Sequence, residues 1–326
     1  MISRRQLLQT VSAAGLLASG AAWAKYPERP IRLIVPLAAG GNGDIMARLV
    51  QTLMGASLNQ SIVVDNKGGA GGGLGTDIAA HSPADGYTLL WGSNGSMVNS
   101  PLMLRKPRYD PLKDFQAVGL MSLVPMALVV SKNIPVTNLK EFLAYAAKSG
   151  KGLNIGTSGI GGANHIPLEL FKAATKANIE HVPYKGGGSA LPDLMSGHVD
   201  GLLTEVSTVM DMHNEGRVRI VGLAADQRSP LLPNVETFIE FGLKDFTAYT
   251  FNGLWAPAGV PADVIQSLQV ALATAVKDSN VIANVTKRAA LIASAELQTP
   301  AGTRAFLAKE IARARQAMQI ANIQPE

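Results

Sequence analysis

The sequence predicts an α/β fold in which a parallel sheet carries helices on both faces. Short apolar runs end in glycine-rich turns and give way to apolar residues at helical spacing, repeatedly along the chain. Hydrophobic residues form 47% of the composition and charged residues 16%, which is globular rather than disordered. A length of 326 residues suits two domains or one large α/β unit. Sheets of this kind take their ligands at the carboxyl ends of the strands, where the glycine turns lie.

The N-terminus predicts export. Ser3 to Leu8 is a basic stretch with a twin arginine, Arg4 and Arg5, followed by a mildly apolar segment from Val11 to Ala21. Ala22 and Ala24 place small residues at the −3 and −1 positions of a cleavage site, so residues 1–24 are expected to be a signal peptide of the twin-arginine type, cut after Ala24. Ser12, Gly15, Ser19 and Gly20 interrupt the apolar segment, which is short for a membrane span. The chain has no cysteine, hence no disulfide, no thiol chemistry and no lipidated cysteine anchor. A protein diffusing freely in a periplasm is expected.

The first βα unit reads LIVPLAAGGNGDIMARLV over residues 33–50. An apolar run breaks at Pro36, passes Gly40, Gly41 and Gly43, and resumes after Asp44 at helical spacing (Ile45, Leu49, Leu53). A helix that opens on glycines offers unpaired amides and the positive end of its dipole to an anion. A P-loop would need Lys and Ser or Thr where Asp44 and Ile45 stand, and the dinucleotide fingerprint would need a glycine where Met46 stands. Nucleotide is disfavoured; the alternative to an anion site is a plain turn with Asp44 as helix N-cap.

SIVVDN (61–66) leads through KGGAGGGLG to a helical stretch near Thr76 to Ala80, and YTLLWGSNGS is a strand with another small-residue loop. NIGTSGIGGANH adds the hydroxyls of Thr157 and Ser158 to loop amides and sets His165 at the opening of a helix. In HVPYKGGG, Tyr184 offers an aromatic wall, Lys185 a charge, and the glycines close backbone approach. Five such loops after strands predict one shared crevice, and hydroxyls with amides suit a carboxylate.

The net charge of +5 includes two signal-peptide arginines, and the remaining basic residues are scattered, so no nucleic-acid surface is expected. The five histidines stand apart without a metal-binding spacing, so neither a metal nor another cofactor is expected.

The ordered motifs IRLIVPLAAGGNGDIMAR, VVDNKGGAGGGLGTD, PADGYTLL, YDPLKDFQAV, GTSGIGGANHIPLELFK, HVPYKGGGSALPDLMSGHVDGLL, GRVRIVGLA and LWAPAGVPADVI carry a specific resemblance. Over about Tyr26 to Ile323 the chain resembles the tripartite tricarboxylate transporter receptors, exported solute-binding proteins also called Bug receptors. The resemblance implies a type II periplasmic-binding-protein fold, a Venus flytrap of two doubly wound lobes joined by crossing strands with a ligand cleft between them. By analogy, residues 25–125 with 250–326 form the first lobe and residues 126–249 the second. It implies a monomeric receptor, not an enzyme, that grips a small organic acid by its carboxylate and delivers it to the large and small membrane subunits of a transporter. Carried onto this chain, the gripping loops are Ala39, Gly40, Gly41, Gly43 and Asp44; Thr157, Ser158, Gly161 and His165; and Tyr184, Lys185 and Gly187, with Ser93 and Thr204 as neighbours. Two positions depart from the family pattern: Leu37-Ala38-Ala39 replaces a proline-rich approach to the first loop, and Gly162 stands where a serine often follows the glycines.

An enzyme is the first competing class. Gly156-x-Ser158 is followed by Gly159 and Ile160, which misses the G-x-S-x-G elbow, and lone acids such as Asp200 and Glu205 find no partner in the sequence pattern. A periplasmic sensing subunit for a membrane kinase is the second, since it needs the same fold and differs only in partner.

Overall fold

The computed structural model describes residues 26–325. The expected signal peptide and its cleavage site lie outside the described residues.

The first elements alternate as the glycine turns predict: β1 (Ile31–Val35), α1 (Asn42–Leu58), β2 (Ile62–Asn66), a 3-10 turn into α2 (Gly73–Ala80), and β3 (Thr88–Gly92). A π turn at Gly95–Asn99 runs into a helical turn at Ser100–Leu102, and then comes β4 (Phe115–Ser131). A second alternation follows with α3 (Leu139–Lys148), β5 (Leu153–Thr157), α4 (His165–Thr175), β6 (Ile179–Pro183), α5 (Gly187–Ser196), β7 (Gly201–Glu205), α6 (Val206–Asn214) and β8 (Val218–Ala224). β9 (Tyr249–Pro257), α7 (Ala262–Val276), α8 (Ser279–Thr286), β10 (Leu291–Ile292) and α9 (Pro300–Ile320) complete the chain.

The sheet is mixed rather than parallel throughout. Its order is β2-β1-β3-β9-β4-β7-β5-β6, with β8 and β10 also pairing to β4. The βα units are parallel, β1 to β2 and β3, and β5 to β6 and β7. β9 is antiparallel to both β3 and β4, and β4 is antiparallel to β7, β8 and β10. The alternation in the sequence reports strand, turn and helix but not strand direction: β9 also runs through Gly259 into α7, yet it lies antiparallel to both its neighbours.

β4 is the axis of the molecule. From Phe115 to Pro125 it pairs with β9, and from Met126 to Ser131 with β7 and β8. Pro125, which lacks an amide hydrogen, falls where the strand exchanges partners, a position where one ladder bond is dispensable. The buried residues of the first half gather α1 and α7 over β1, β3, β4 and β9, with Met46, Val50 and Met54 packed among Leu268, Leu272 and Leu254. In the second half an aromatic cluster anchors the core, with the Phe171 and Phe238 rings 5.1 Å apart and Phe246 edge-on to both.

One local expectation is corrected. α1 begins at Asn42, its N-cap is Gly41 with extended backbone (φ −85°, ψ 173°), and no side chain caps it. Asp44 is therefore the third helical residue and not the N-cap. Its carboxylate reaches back to accept the Gly40 amide at 3.0 Å, as an acid in the first turn does when an orphan N–H lies before it.

Candidate ligand-binding site

The turns after β1, β2 and β3 meet those after β5 and β6. The Ala38 amide donates to the Lys185 carbonyl at 3.3 Å. Gly188 lies on the Ala39–Gly41 backbone, where a Cβ would strike the Ala39 carbonyl and come within 2.7 Å of the Gly41 nitrogen. Gly71 holds a left-handed conformation (φ 61°) directly against Gly161 and Gly162, leaving no room for a side chain. Asn99 Nδ2 donates to the Gly162 carbonyl at 2.9 Å. Glycine thus does more here than free a helix end for an anion: it lets two backbones from opposite halves touch.

The expected residues divide by what their side chains do. Ala39 and Gly40 are exposed at the rim, whereas Gly43 is buried within the first turn of α1, facing Leu37 and Val35 of its own unit. Asp44 is buried; Arg48 Nε donates to its other oxygen at 2.9 Å. Burial opposes its charge, but the Arg48 and Gly40 hydrogen bonds prevail and hold the carboxyl below its ordinary range. In the second half, Ser158 donates both its amide (2.9 Å) and its hydroxyl (2.7 Å) to Asn164 Oδ1, and the Gly159 amide donates to Thr157 Oγ1 at 3.2 Å. Those hydroxyls fold the turn upon itself.

His165 opens α4 as expected, and its Nδ1 accepts the Gly161 amide at 3.3 Å. Its ring stacks on His181 with centroids 4.6 Å apart, and His181 Nε2 lies 2.6 Å from Thr157 Oγ1. Burial, and then the neighbouring His165, push His181 down to about 4. Tyr184 is half-buried beside Gly156, and its hydroxyl donates to Asp193 on α5 at 2.6 Å; burial first and that bond second raise the phenol to about 12. Its polar tip is thereby directed at α5. Lys185 is exposed, and its backbone carbonyl is what reaches the first half.

Beneath the turns runs a buried polar network. Thr204 Oγ1 donates to Glu205 Oε2 (3.2 Å), and Thr250 Oγ1 on β9 donates to Oε1 (2.9 Å). Asn42 Nδ2 donates to Asn252 Oδ1 (3.1 Å), Ser207 donates to Asn42 Oδ1 (2.9 Å), and Asn252 Nδ2 donates to Ser122 (3.3 Å). A Cβ on Gly187 would sit 3.0 Å from Thr204 Oγ1, which places this network directly under the second-half glycines. Burial pushes the Glu205 carboxyl up, favouring its protonated form. Three buried polar groups near these turns have no hydrogen-bond partner among the described residues: Ser93 Oγ just after β3, Asn164 Nδ2, and Thr208 Oγ1. The family resemblance pointed to Ser93, Thr204 and the turn that holds Asn164, and Glu205 stood out only as a lone acid; Asn42, Ser122, Ser207, Thr208, Thr250 and Asn252 were not singled out. The available signal was a polar residue inside an apolar strand, Asn252 in YTFNGLWAP and Glu205 closing GLLTE.

A mixed sheet running through two α/β halves, with glycine turns of both meeting at one place, defines a type II periplasmic-binding-protein fold. The sequence model of the tripartite tricarboxylate transporter family receptor matches residues 46–322, and the chain belongs to that family. It is a periplasmic solute-binding receptor and not an enzyme. BugT of Bordetella pertussis is 34% identical over 290 residues, 88% of this chain and 88% of BugT. The solved periplasmic binding protein BugD superposes with a TM-score of 0.89 at 30% identity, over 92% of this chain and all of its own, 100%. MatC from Rhodopseudomonas palustris, solved with bound malate, gives 0.85 at 32% identity over 91% of this chain and 100% of MatC. The R. palustris protein Rpa4515, solved with adipate, gives 0.87 at 30% identity over 92% of this chain and 100% of Rpa4515.

Proposed function

We propose that this receptor captures a small organic acid by its carboxylate in the cleft between the lobes and presents it to the membrane subunits of the transporter. The observation that carries the proposal is the meeting of the Gly40–Gly41 turn with the Gly187–Gly188 turn and of Gly71 with the Ser158–Asn164 turn, beside unpartnered Ser93, Asn164 and Thr208. Backbone amides at helix starts supply charge-assisted donors, and the orphan groups supply further polar contacts for a ligand that displaces water. The ligand loops are Ala39 to Asp44, Thr157 to His165 and Tyr184 to Gly187, with Ser93 and Thr204 beside them. Malate in MatC and adipate in Rpa4515 support dicarboxylates as the class to test first.

The lobes in this proposal are residues 25–125 with 250–326, and 126–249; the exchange of β4 partners at Pro125 and Met126 supports the division. The receptor acts as a monomer, is exported by the twin-arginine route and is cleaved after Ala24. Replacing Arg4 and Arg5 by lysine traps the precursor in the cytoplasm; unchanged export rejects the route.

A thermal-shift screen against mono-, di- and tricarboxylic acids tests the function. An acid at about 100 times its dissociation constant stabilises the protein by roughly 2.7 kcal/mol and is recovered chemically unchanged. Absence of any shift across the acids, or conversion of the bound acid, overturns the proposal.

A further inference from the structure

We propose that His165, Glu169 and His181 form a site for one divalent cation of the zinc class, at the base of the Thr157–His165 turn. The fold assembles what the sequence spacing does not show. His165 and Glu169 lie four residues apart on α4, hence on one face, and His181 comes from β6, in register with Ile155 of β5. One donor atom from each lies within 4.8 Å of the others. Zinc bonds of about 2.0–2.2 Å bring such donors to roughly 3.3 Å, so side-chain rotation has to close the set by about 1.5 Å and open the stack of the two imidazoles, whose lone pairs lie in the ring planes.

The donor chemistry is selective. Two imidazole nitrogens and one carboxylate oxygen suit zinc and leave a position for water, whereas calcium and magnesium prefer oxygen ligands alone. The surroundings also resemble a metal's outer shell. The contact of His181 Nε2 with Thr157 orients the ring and leaves Nδ1 for the ion. His165 exchanges the Gly161 amide, a long hydrogen bond at 3.3 Å, for the cation. Lys172 is the natural competitor, because its ammonium pairs with Glu169 at 3.1 Å. The inference is independent of which acid the cleft holds.

The test is calorimetric titration of the purified full chain with zinc chloride, without any organic acid, and cobalt(II) absorption as a spectroscopic signature. The exposed pairs His81 with Asp77 and His198 with Asp193 offer weak sites of their own, so the background carries His81→Ala and His198→Ala. One ion per chain is expected, with visible cobalt bands. Glu169→Gln and His181→Ala each weaken binding at least tenfold. Lys172→Ala tightens it several-fold, a gain that misfolding does not produce. No stoichiometric binding in this background, or binding indifferent to all three substitutions, overturns the site and leaves the stacked imidazoles as a packing feature of the turn.

Discussion

Gly188 rests on the peptide of Gly41 with no space for a side chain between them. Gly188 is in the first turn of α5 and Gly41 is the N-cap of α1, so the starts of two helices distant in sequence come together backbone to backbone.

Gly188→Ala tests that contact. The added methyl meets backbone on the opposite lobe and opposes the close approach, while alanine suits a helix better than glycine. The expected result is a folded protein with unchanged or raised Tm whose affinity for its acid falls about tenfold or more, a loss of about 1.4 kcal/mol. Small-angle scattering should show a more open ligand-bound form than the parent's. Full affinity with normal compaction rejects the divided site.

Ser93→Ala and Thr208→Val remove buried hydroxyls that have no partner in the protein. Without ligand these variants should be as stable as the parent or more so. With a charged ligand as the missing partner, each should lose about 1–3 kcal/mol of binding. Thermal melts paired with calorimetry separate the two effects, and unaltered affinity in both variants removes these hydroxyls from the site.

Glu205 makes stability depend on pH. Burial raises its folded-state value above that of the unfolded chain, so the native protein holds more protons between the two values. Its contribution is intact below the ordinary carboxylate range and declines as pH rises towards the folded value. Glu205→Gln keeps an oxygen to accept from Thr250 and cannot ionise. Melts over an acid-to-neutral series should show a decline in the parent that is smaller in the variant; parallel profiles refute the assignment.

Asp44 works in the opposite sense. Its folded value is lowered, so its contribution is present above the ordinary range and is lost as pH falls through the folded value. Asp44→Ala releases the Gly40 amide and the Arg48 pair together and should cost about 1 kcal/mol of stability. Asp44→Asn, which can still accept from Gly40, should cost less. Denaturant titration measures both, and equal losses reject the hydrogen bond as the main contribution.

Most βα units were legible in the sequence because their apolar runs end in glycines, and local chemistry of this kind survives in any fold; β7, which passes from Glu205 straight into α6, carries no such mark. Asp44 was legible as a helix-start residue but not its position, since an acid serves equally as N-cap or as third residue reaching back. The antiparallel β9 and the double role of β4 were not legible: an apolar strand carries no mark of which neighbour it will join. Glu205 and Thr250 lie far apart in the sequence, and only the crossing of β4, β7 and β9 brings the carboxyl to its hydroxyl. His165 and His181 were individually visible, yet their stacking depends on the register of β6 on β5.

The place of β9 also governs the order in which the chain can be completed. β1, β2 and β3 reach β4 through β9, which is synthesised only after the whole of the second lobe has emerged. Until Tyr249–Pro257 is available, β3 presents a bare edge and the apolar faces awaiting α7 stay uncovered. The half of the protein made first is therefore finished last. A chain stalled before residue 249 has a second lobe with its sequence in hand and a first lobe still looking for its central strand, a natural substrate for chaperones and proteases.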